Sequence, residues 1–256
     1  KHLSSLGDIY VNDAFSCSHR SHASISQITK FLPSYSGLQM EVEMTALRKI
    51  TSEIKKPITC IIGGSKISTK IDVIKNLISK FDNIIIVGGM ANNVIKHMGY
   101  EIGKSLHEDN AEKIIEEIFS LSKKGKCNIF FPQDVVVAND KNGVPFQKEI
   151  GKISSEEMIL DIGEKTIKMI EGIITESKTV FWNGPAGFFE NKNFANGSIK
   201  IAKKIVDNSK AKKIYSVAGG GDTVSLLNSL NFVNDFDFVS TAGGAFLEYL
   251  EGKQLP

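Results

Sequence analysis

Arginine is almost absent from this chain. Among 31 basic side chains only Arg20 and Arg48 carry a guanidinium, and lysine supplies the rest. Cysteine is nearly as scarce. Cys17, Cys60 and Cys127 are far apart, odd in number and form no CxxC pair. Such spacing supports neither a zinc site nor a disulfide framework, and it fits a reducing cytoplasm. Net charge is only +2, and the lysines are spread along the chain rather than gathered in one block. No basic field for nucleic acid or an anionic membrane is implied. No apolar run reaches membrane-spanning length. Internal repeats and low-complexity tracts are also missing.

What is present is ordinary in bulk and specific in order. The 256 residues are enough for one large or two small domains. Composition, 41% hydrophobic and 23% charged, is that of a globular protein. From residue 56 onward one pattern recurs: apolar run, glycine turn, amphipathic helix. It is seen in "PITCIIGGSKISTKIDVIKNLISKF" and "NIIIVGGMANNVIKHM", then "KTVFWNGPAGFFE", "KIYSVAGGGDTVSLLNSL" and "FDFVSTAGGAFLEYLEG". The runs are short, β-branched and continuous, as in strands buried on both faces of a parallel sheet. Ile71, Ile74, Leu77 and Ile78 then recur at helical spacing. The alternation predicts an α/β, doubly wound, Rossmann-like parallel sheet. A further strand is expected in "CNIFFPQDVVVAND", residues 127–140. It follows a helix stopped at Gly125. Pro33 and Gly37 punctuate a loop, after which a long helix is predicted from 39 to about 54, closed by Pro57. The division is therefore residues 1–38 as the end of a preceding unit, 39–55 as a linking helix, and 56–256 as the main domain.

In open α/β sheets, ligands bind beyond the carboxyl ends of the strands. The glycine turns fall there. Glycine lets a backbone approach a ligand closely, and the following helix points free N–H groups at it. Each turn also admits a plain reading as a tight strand–helix connection. Their decorations differ. "GGSK" places Lys66 beyond the turn and Lys70 four residues later, on the same helical face. "GGGDT" places Asp222 and Thr223 at a helix start, either as caps or as a Mg²⁺ ligand beside a phosphate cradle. "WNGPAGFFE" carries Asn183 and Glu190. Glu190 suits ribose hydroxyls or plain solvent. No GxxxxGK[ST] is present, which disfavours a P-loop, and no GxGxxG is present, which disfavours a nicotinamide-dependent oxidoreductase. A phosphotransferase using Mg-nucleotide remains. A noncatalytic interaction module would leave the lysines and the Asp-Thr pair unexplained.

One of the two arginines lies in "YVNDAFSCSHRSHAS", between His19 and His22. A guanidinium fork matches phosphate or carboxylate bidentately, whereas an ammonium does not. An anion site and a solvated basic loop both fit this stretch alone.

Taken together and in order, "YVNDAFSCSHRSHAS", "LPSYSG", "GGSKISTKI", "GGMAN", "WNGPAGFFE", "AGGGDT" and "STAGGAFLEYLEGKQLP" resemble the phosphoglycerate kinase family. The resemblance covers essentially the whole chain. It implies two Rossmann-like domains joined by a long helix, in a cytoplasmic monomer. Its reaction moves a phosphoryl group between 1,3-bisphosphoglycerate and ADP, giving 3-phosphoglycerate and ATP, with Mg²⁺. By this resemblance Arg20 clamps the non-transferred phosphate, with His19 and His22 beside it. Lys66 neutralises the phosphoryl group in flight, and Lys70 meets the nucleotide phosphates. Gly64, Gly88 and Gly89 fall on turns around the adenine, with Leu160 and Ala186 as apolar walls, and Ser65 and Pro185 belong to the same nucleotide-binding set. Asn183 lies near the phosphates and Glu190 on the ribose. Asp222 binds Mg²⁺, Gly221 and Thr223 cradle phosphate with Gly220 also in the nucleotide-binding set, and Gly243 and Gly244 face the transferring group. Gly221 and both of these glycines join Lys66 in the catalytic set.

The chain departs from the family pattern at three places. Ser16-Cys17-Ser18 stands where the family has Gly-Thr-Ala. Val87 replaces the first of three glycines, and Ala242 does the same near the end. The sequence also reads as a fragment lacking most of the phosphoglycerate-binding domain and the family's C-terminal segment. It is therefore expected to bind nucleotide but to turn over poorly alone, or to be a noncatalytic nucleotide-binding fragment.

Overall fold

A computed structural model describes residues 1–256. The chain opens with strand β1 (Tyr10–Asn12), short irregular turns, strand β2 (Ser34–Ser36) and helix α1 (Leu38–Thr51). Next come β3 (Ile58–Ile62), α2 (Ile71–Ile78), β4 (Asn83–Ile86), α3 (Gly89–His97), α4 (Glu112–Gly125) and β5 (Asn128–Phe130). A three-strand insertion follows: β6 (Asp134–Ala138), β7 (Phe146–Glu149) and β8 (Met158–Ile162). The chain then runs through α5 (Glu164–Glu176), β9 (Thr179–Asn183), α6 (Asn196–Lys210), β10 (Tyr215–Gly219), α7 (Gly221–Ser229), β11 (Phe238–Ser240) and α8 (Gly244–Leu250).

Six strands form one parallel sheet in the order β11-β10-β9-β3-β4-β5. The doubly wound expectation holds. Every residue of β3 and β9 is buried. The two faces feed two apolar clusters. Ile58, Cys60, Ile62 and Phe181 join α1, α2, α4 and α8 in one. Ile61, Val180 and Trp182 join α5, α6 and α7 in the other. Alternate residues of one strand thus serve opposite layers, which is why its apolar run is unbroken.

Several expected details differ. Residues 127–140 form two strands, not one. β5 ends the parallel sheet, and β6 starts an antiparallel sheet of order β7-β6-β8. Pro132 stands between them; lacking an N–H, it cannot extend a ladder. Gly125 is the last helical residue of α4, and the left-handed stop is Lys126, at φ 57°. Helix α1 ends at Thr51, where the amides of Ser52 and Glu53 both fold back onto the Arg48 carbonyl. Residues 52–57 are irregular, neither helix nor strand.

Candidate functional site

The strand order reverses direction between β3 and β9. The chain winds outward from β3 through β4 to β5, then returns to β9 and winds the other way. Side chains at the carboxyl ends of such a pair leave a crevice. Here two glycines bring the loop backbones into contact. A Cβ on Gly184, at φ +106°, would lie 2.3 Å from the Gly63 carbonyl oxygen, and one on Gly63 would lie 2.4 Å from that of Pro185. No side chain fits at either position.

Lys70 plugs this junction. Its ammonium donates to Gly63 O at 2.5 Å, Asn183 Oδ1 at 2.5 Å and Asn183 O at 3.3 Å. Burial pushes its pKa down to about 8, while nearby Cys60 and Asp222 act to raise it. The Asn183 amide nitrogen donates in turn to Gly219 O at 2.9 Å, so one side chain ties the ends of β3, β9 and β10 together. Thr223 is fully buried, and its hydroxyl accepts from Gly184 N at 2.7 Å. Helix α7 begins after Gly220, at φ 94°, with no side-chain cap. Thr223 therefore does not cap this helix, and its hydroxyl instead pins the Gly184 turn. Asp222, one residue earlier, is exposed.

A cleft of about 400 Å³ opens beside the junction. Of the residues singled out above, Gly64, Ser65, Gly88, Gly89, Leu160, Pro185, Ala186, Glu190 and Asp222 line it. The walls are pinned at intervals: Ala186 N to Ser198 Oγ, Gly88 N to Ala186 O, and Phe188 N to Leu160 O. The lining mixes apolar side chains, among them Leu106, Val135 and Leu160, with polar residues, among them Ser65 and Asp222.

Lys66 and Lys70 do not share a helical face. Lys66 sits in the loop before a 3-10 turn (Ser68–Lys70) and is exposed, while Lys70 is drawn inward. The Lys66 loop is anchored from outside. Glu108 accepts from Ser68 N at 2.9 Å and Ser68 Oγ at 2.5 Å. Burial acts to raise the Glu108 carboxyl, but the Ser68 and Ile67 donors and nearby Lys66 hold it below the ordinary range.

Gly243 and Gly244 lie elsewhere, at the start of α8. A Cβ on Gly244 would meet the His19 ring, 3.1 Å from Nε2. His19 is thus brought to the α8 helix start. Arg20 is exposed and lies outside the cleft lining.

Sequence reasoning missed four residues that shape this site: Gly63, Asn92, Glu108 and Asp161. Gly63 was legible as the first glycine of "GGSK". Asp161 is buried against α6, accepting from Gly197 N at 2.8 Å, and a Cβ on Gly187 would lie 2.5 Å from it. Nothing in the sequence around Asn92, Glu108 or Asp161 announces those long-range contacts.

A protein-family model described as phosphoglycerate kinase matches residues 1–253. A curated phosphoglycerate kinase of Novosphingobium aromaticivorans is 44% identical over 99% of this chain and 65% of its own length. Another, of Wolbachia pipientis subsp. Culex pipiens, is 45% identical over 100% and 65%. The solved structure of phosphoglycerate kinase from Coxiella burnetii is similar with a TM-score of 0.94 at 36% identity, covering 99% of this chain and 65% of that one. The one from Pyrococcus horikoshii OT3 gives 0.83 at 27%, covering 99% and 64%. The chain thus spans about 65% of the length of the relatives it matches.

Proposed function

This chain belongs to the phosphoglycerate kinase family, and from that premise we propose that its cleft holds ADP or ATP for phosphoryl transfer with 1,3-bisphosphoglycerate. One observation carries the reading. At the sheet's reversal point the cleft is lined by both apolar and polar residues, with Lys70 and Asp222 beside the glycine turns. An apolar pocket suits a base, and cations with free amides suit phosphates.

The chemistry asks little of the side chains. A β-phosphate oxygen of ADP attacks the phosphorus of the acyl phosphate. The bond from that phosphorus to the carboxyl oxygen breaks, and 3-phosphoglycerate leaves as a carboxylate. No proton moves, so positioning and charge neutralisation are the protein's task. Lys66, exposed on its anchored loop, meets the phosphoryl group in flight; Lys70 meets the nucleotide phosphates. The amides of Gly221, Gly243 and Gly244 stabilise the equatorial oxygens. Arg20 and His19 serve the phosphoglycerate.

Mg²⁺ fits as a companion of the nucleotide rather than a resident. Asp222 is a single exposed carboxylate, and no cluster of three metal-ligating side chains exists. Magnesium is commonly held by one or two carboxylates plus substrate phosphates. When bound it would neutralise phosphate charge.

We read residues 1–38 as the end of the phosphoglycerate-binding domain, 39–55 as the linking segment and 56–256 as the nucleotide-binding domain of a cytoplasmic monomer. The chain offers one arginine to the anion side, so the 256-residue polypeptide should bind nucleotide but turn over poorly. Titration calorimetry with ADP and Mg²⁺ tests the reading. One-to-one binding is expected, weakened about tenfold or more by Asp222→Ala in Mg²⁺ but much less in its absence. A folded protein that takes up no ADP would refute it.

A further inference from the structure

The loop that carries Lys66 has one apolar anchor and one polar anchor. Ile67 is fully buried in the main cluster. Ser68 is exposed, yet it gives both its donors, N and Oγ, to the Glu108 carboxylate. Hydrogen bonds to an ionised acceptor are the strong kind. The segment that presents Glu108 is itself fixed at almost every residue. Lys104 N donates to Glu157 O at 2.7 Å, and Ser105 Oγ accepts from Ile159 N at 2.8 Å. Leu106 O accepts from Asn92 Nδ2 at 2.9 Å, and Glu108 N donates to Asn93 Oδ1 at 2.8 Å. Ile159 lies on β8 and both asparagines on α3, two elements that wall the cleft. Gly89, at the start of α3, closes the same junction: a Cβ there would lie 3.2 Å from Ser65 O and 3.2 Å from Leu106 Cδ2.

We propose that Glu108 is a positioning residue for Lys66: it locks the Lys66 loop to the walls of the cleft, so that the ammonium is already in place for the terminal phosphate of ATP. This rests on the role given to Lys66 above. The carboxylate acts through geometry and touches no reacting group. A lysine on a loose loop must order that loop when phosphate arrives, and the ordering subtracts from affinity. A loop ordered in advance avoids that loss. A purely electrostatic role has the opposite sign. A carboxylate near Lys66 would draw the ammonium away from phosphate, and removing it would then strengthen the binding of ATP.

The test is calorimetric titration of the 256-residue protein and its variants with ATP and with ADP, each in Mg²⁺. Lys66→Ala should weaken ATP about tenfold and ADP less than about twofold, because only ATP carries the group that Lys66 meets. Glu108→Ala should weaken ATP about fivefold with the same indifference to ADP. Glu108→Gln should recover most of that loss, since its amide oxygen accepts from Ser68 N and its amide nitrogen donates to Ser68 Oγ. Added to Lys66→Ala, Glu108→Ala should weaken ATP by less than about twofold more, because the two act as one unit. Ser68→Ala, which removes one of the two bonds at an exposed residue, should weaken ATP about twofold, so the claim does not hang on one variant folding. Equal losses for ATP and ADP overturn the inference, as does an undiminished loss on top of Lys66→Ala. Unchanged ATP affinity in folded Glu108→Ala overturns it by showing that Ile67 holds the loop alone. Tighter ATP binding overturns it by showing that the carboxylate competes for the ammonium. Glu108→Gln as weak as Glu108→Ala overturns it in favour of charge. Lys66→Ala that binds ATP as the parent does removes the role of Lys66 and this inference with it, but leaves the nucleotide site standing. Binding of neither nucleotide by the folded parent refutes the nucleotide reading itself.

Discussion

Two parallel sheets share this molecule, and they are supported in opposite ways. In the two-stranded one, Tyr10 pairs with Ser34 and Asn12 with Ser36. Every residue of β2 is exposed, and Val11 and Tyr35 show more than half their surface to solvent. In the six-stranded one, β3 and β9 are buried throughout, between helices on both faces. Backbone ladders exist in both, so the ladder is not what separates them. Apolar cover is. Two bare strands are marginal in water, and burial supplies the main favourable term. Residues 1–36 are held by tethers instead. Phe15 is buried in the main cluster, the Asp13 carboxylate accepts from Met40 N at 2.9 Å, and His19 lies against Gly244.

The largest effect that would break this contrast is a pair of truncations. Trp182 is fully buried, stacks on Phe236 at 6.5 Å and donates to Gly184 O. Trp182→Ala should cost about 3–5 kcal/mol in urea unfolding, the range for large aromatic-to-alanine changes in a core. Tyr35→Ala should stay within about 0.5 kcal/mol, as exposed substitutions do. Comparable losses from both would mean that residues 1–36 are packed in solution as tightly as the large sheet.

Acid should sharpen the contrast further. Asp161, on β8 and facing α6, is 1% exposed. Burial drives its pKa up to about 7, against the opposing pull of the Gly197 and Ile162 amides. The native state therefore holds this proton more tightly than the unfolded chain does. Between about pH 4 and pH 7 the folded form binds more protons, so stability falls as pH rises. The contribution is full below the ordinary aspartate range of about 4 and lost above about 7. Its ceiling is about 4 kcal/mol. Asp161→Asn should flatten that part of a stability profile measured from pH 4 to 8. An unchanged slope would assign the effect to another group.

Much of this was legible in residue patterns. Continuous β-branched runs such as "ITCII" announce a strand buried on both faces, and glycine turns mark the strand ends. Local pattern could not tell that residues 127–140 serve two sheets, because their apolar character is the same on both sides of Pro132. Nor could it tell that Lys66 and Lys70 part company. Their four-residue spacing suits a helix, but the helix begins only at Ile71. The candidate site was legible where chemistry is local, as in "GGGDT". It was illegible where a polar side chain answers a group far along the chain, as Asn183 answers Lys70 and Glu108 answers Ser68. A lone Asn or Glu carries no sign of its distant partner.

The smallest effect probes the tether itself. Gly244 is the first residue of α8, and the strained backbone belongs to its neighbour Gly243, at φ +53°. Alanine at 244 should gain up to about 1 kcal/mol from helix propensity and a less flexible unfolded chain. Against that gain, the new methyl meets His19 Nε2 at 3.1 Å and Cε1 at 3.5 Å. The half-buried imidazole can yield by a few tenths of an ångström, whereas the backbone of α8 is fixed by the buried Ala245 and Phe246 that follow. Global stability of Gly244→Ala should therefore change by less than about 1 kcal/mol. Amide hydrogen exchange should instead quicken in residues 10–20 while β3 and β9 keep their protection, because local opening and global unfolding are separate events. Unchanged exchange in residues 10–20 would show that Phe15 and Asp13 hold this region without His19. Faster exchange in both sheets would show that the two regions open as one, and the contrast between them would fail.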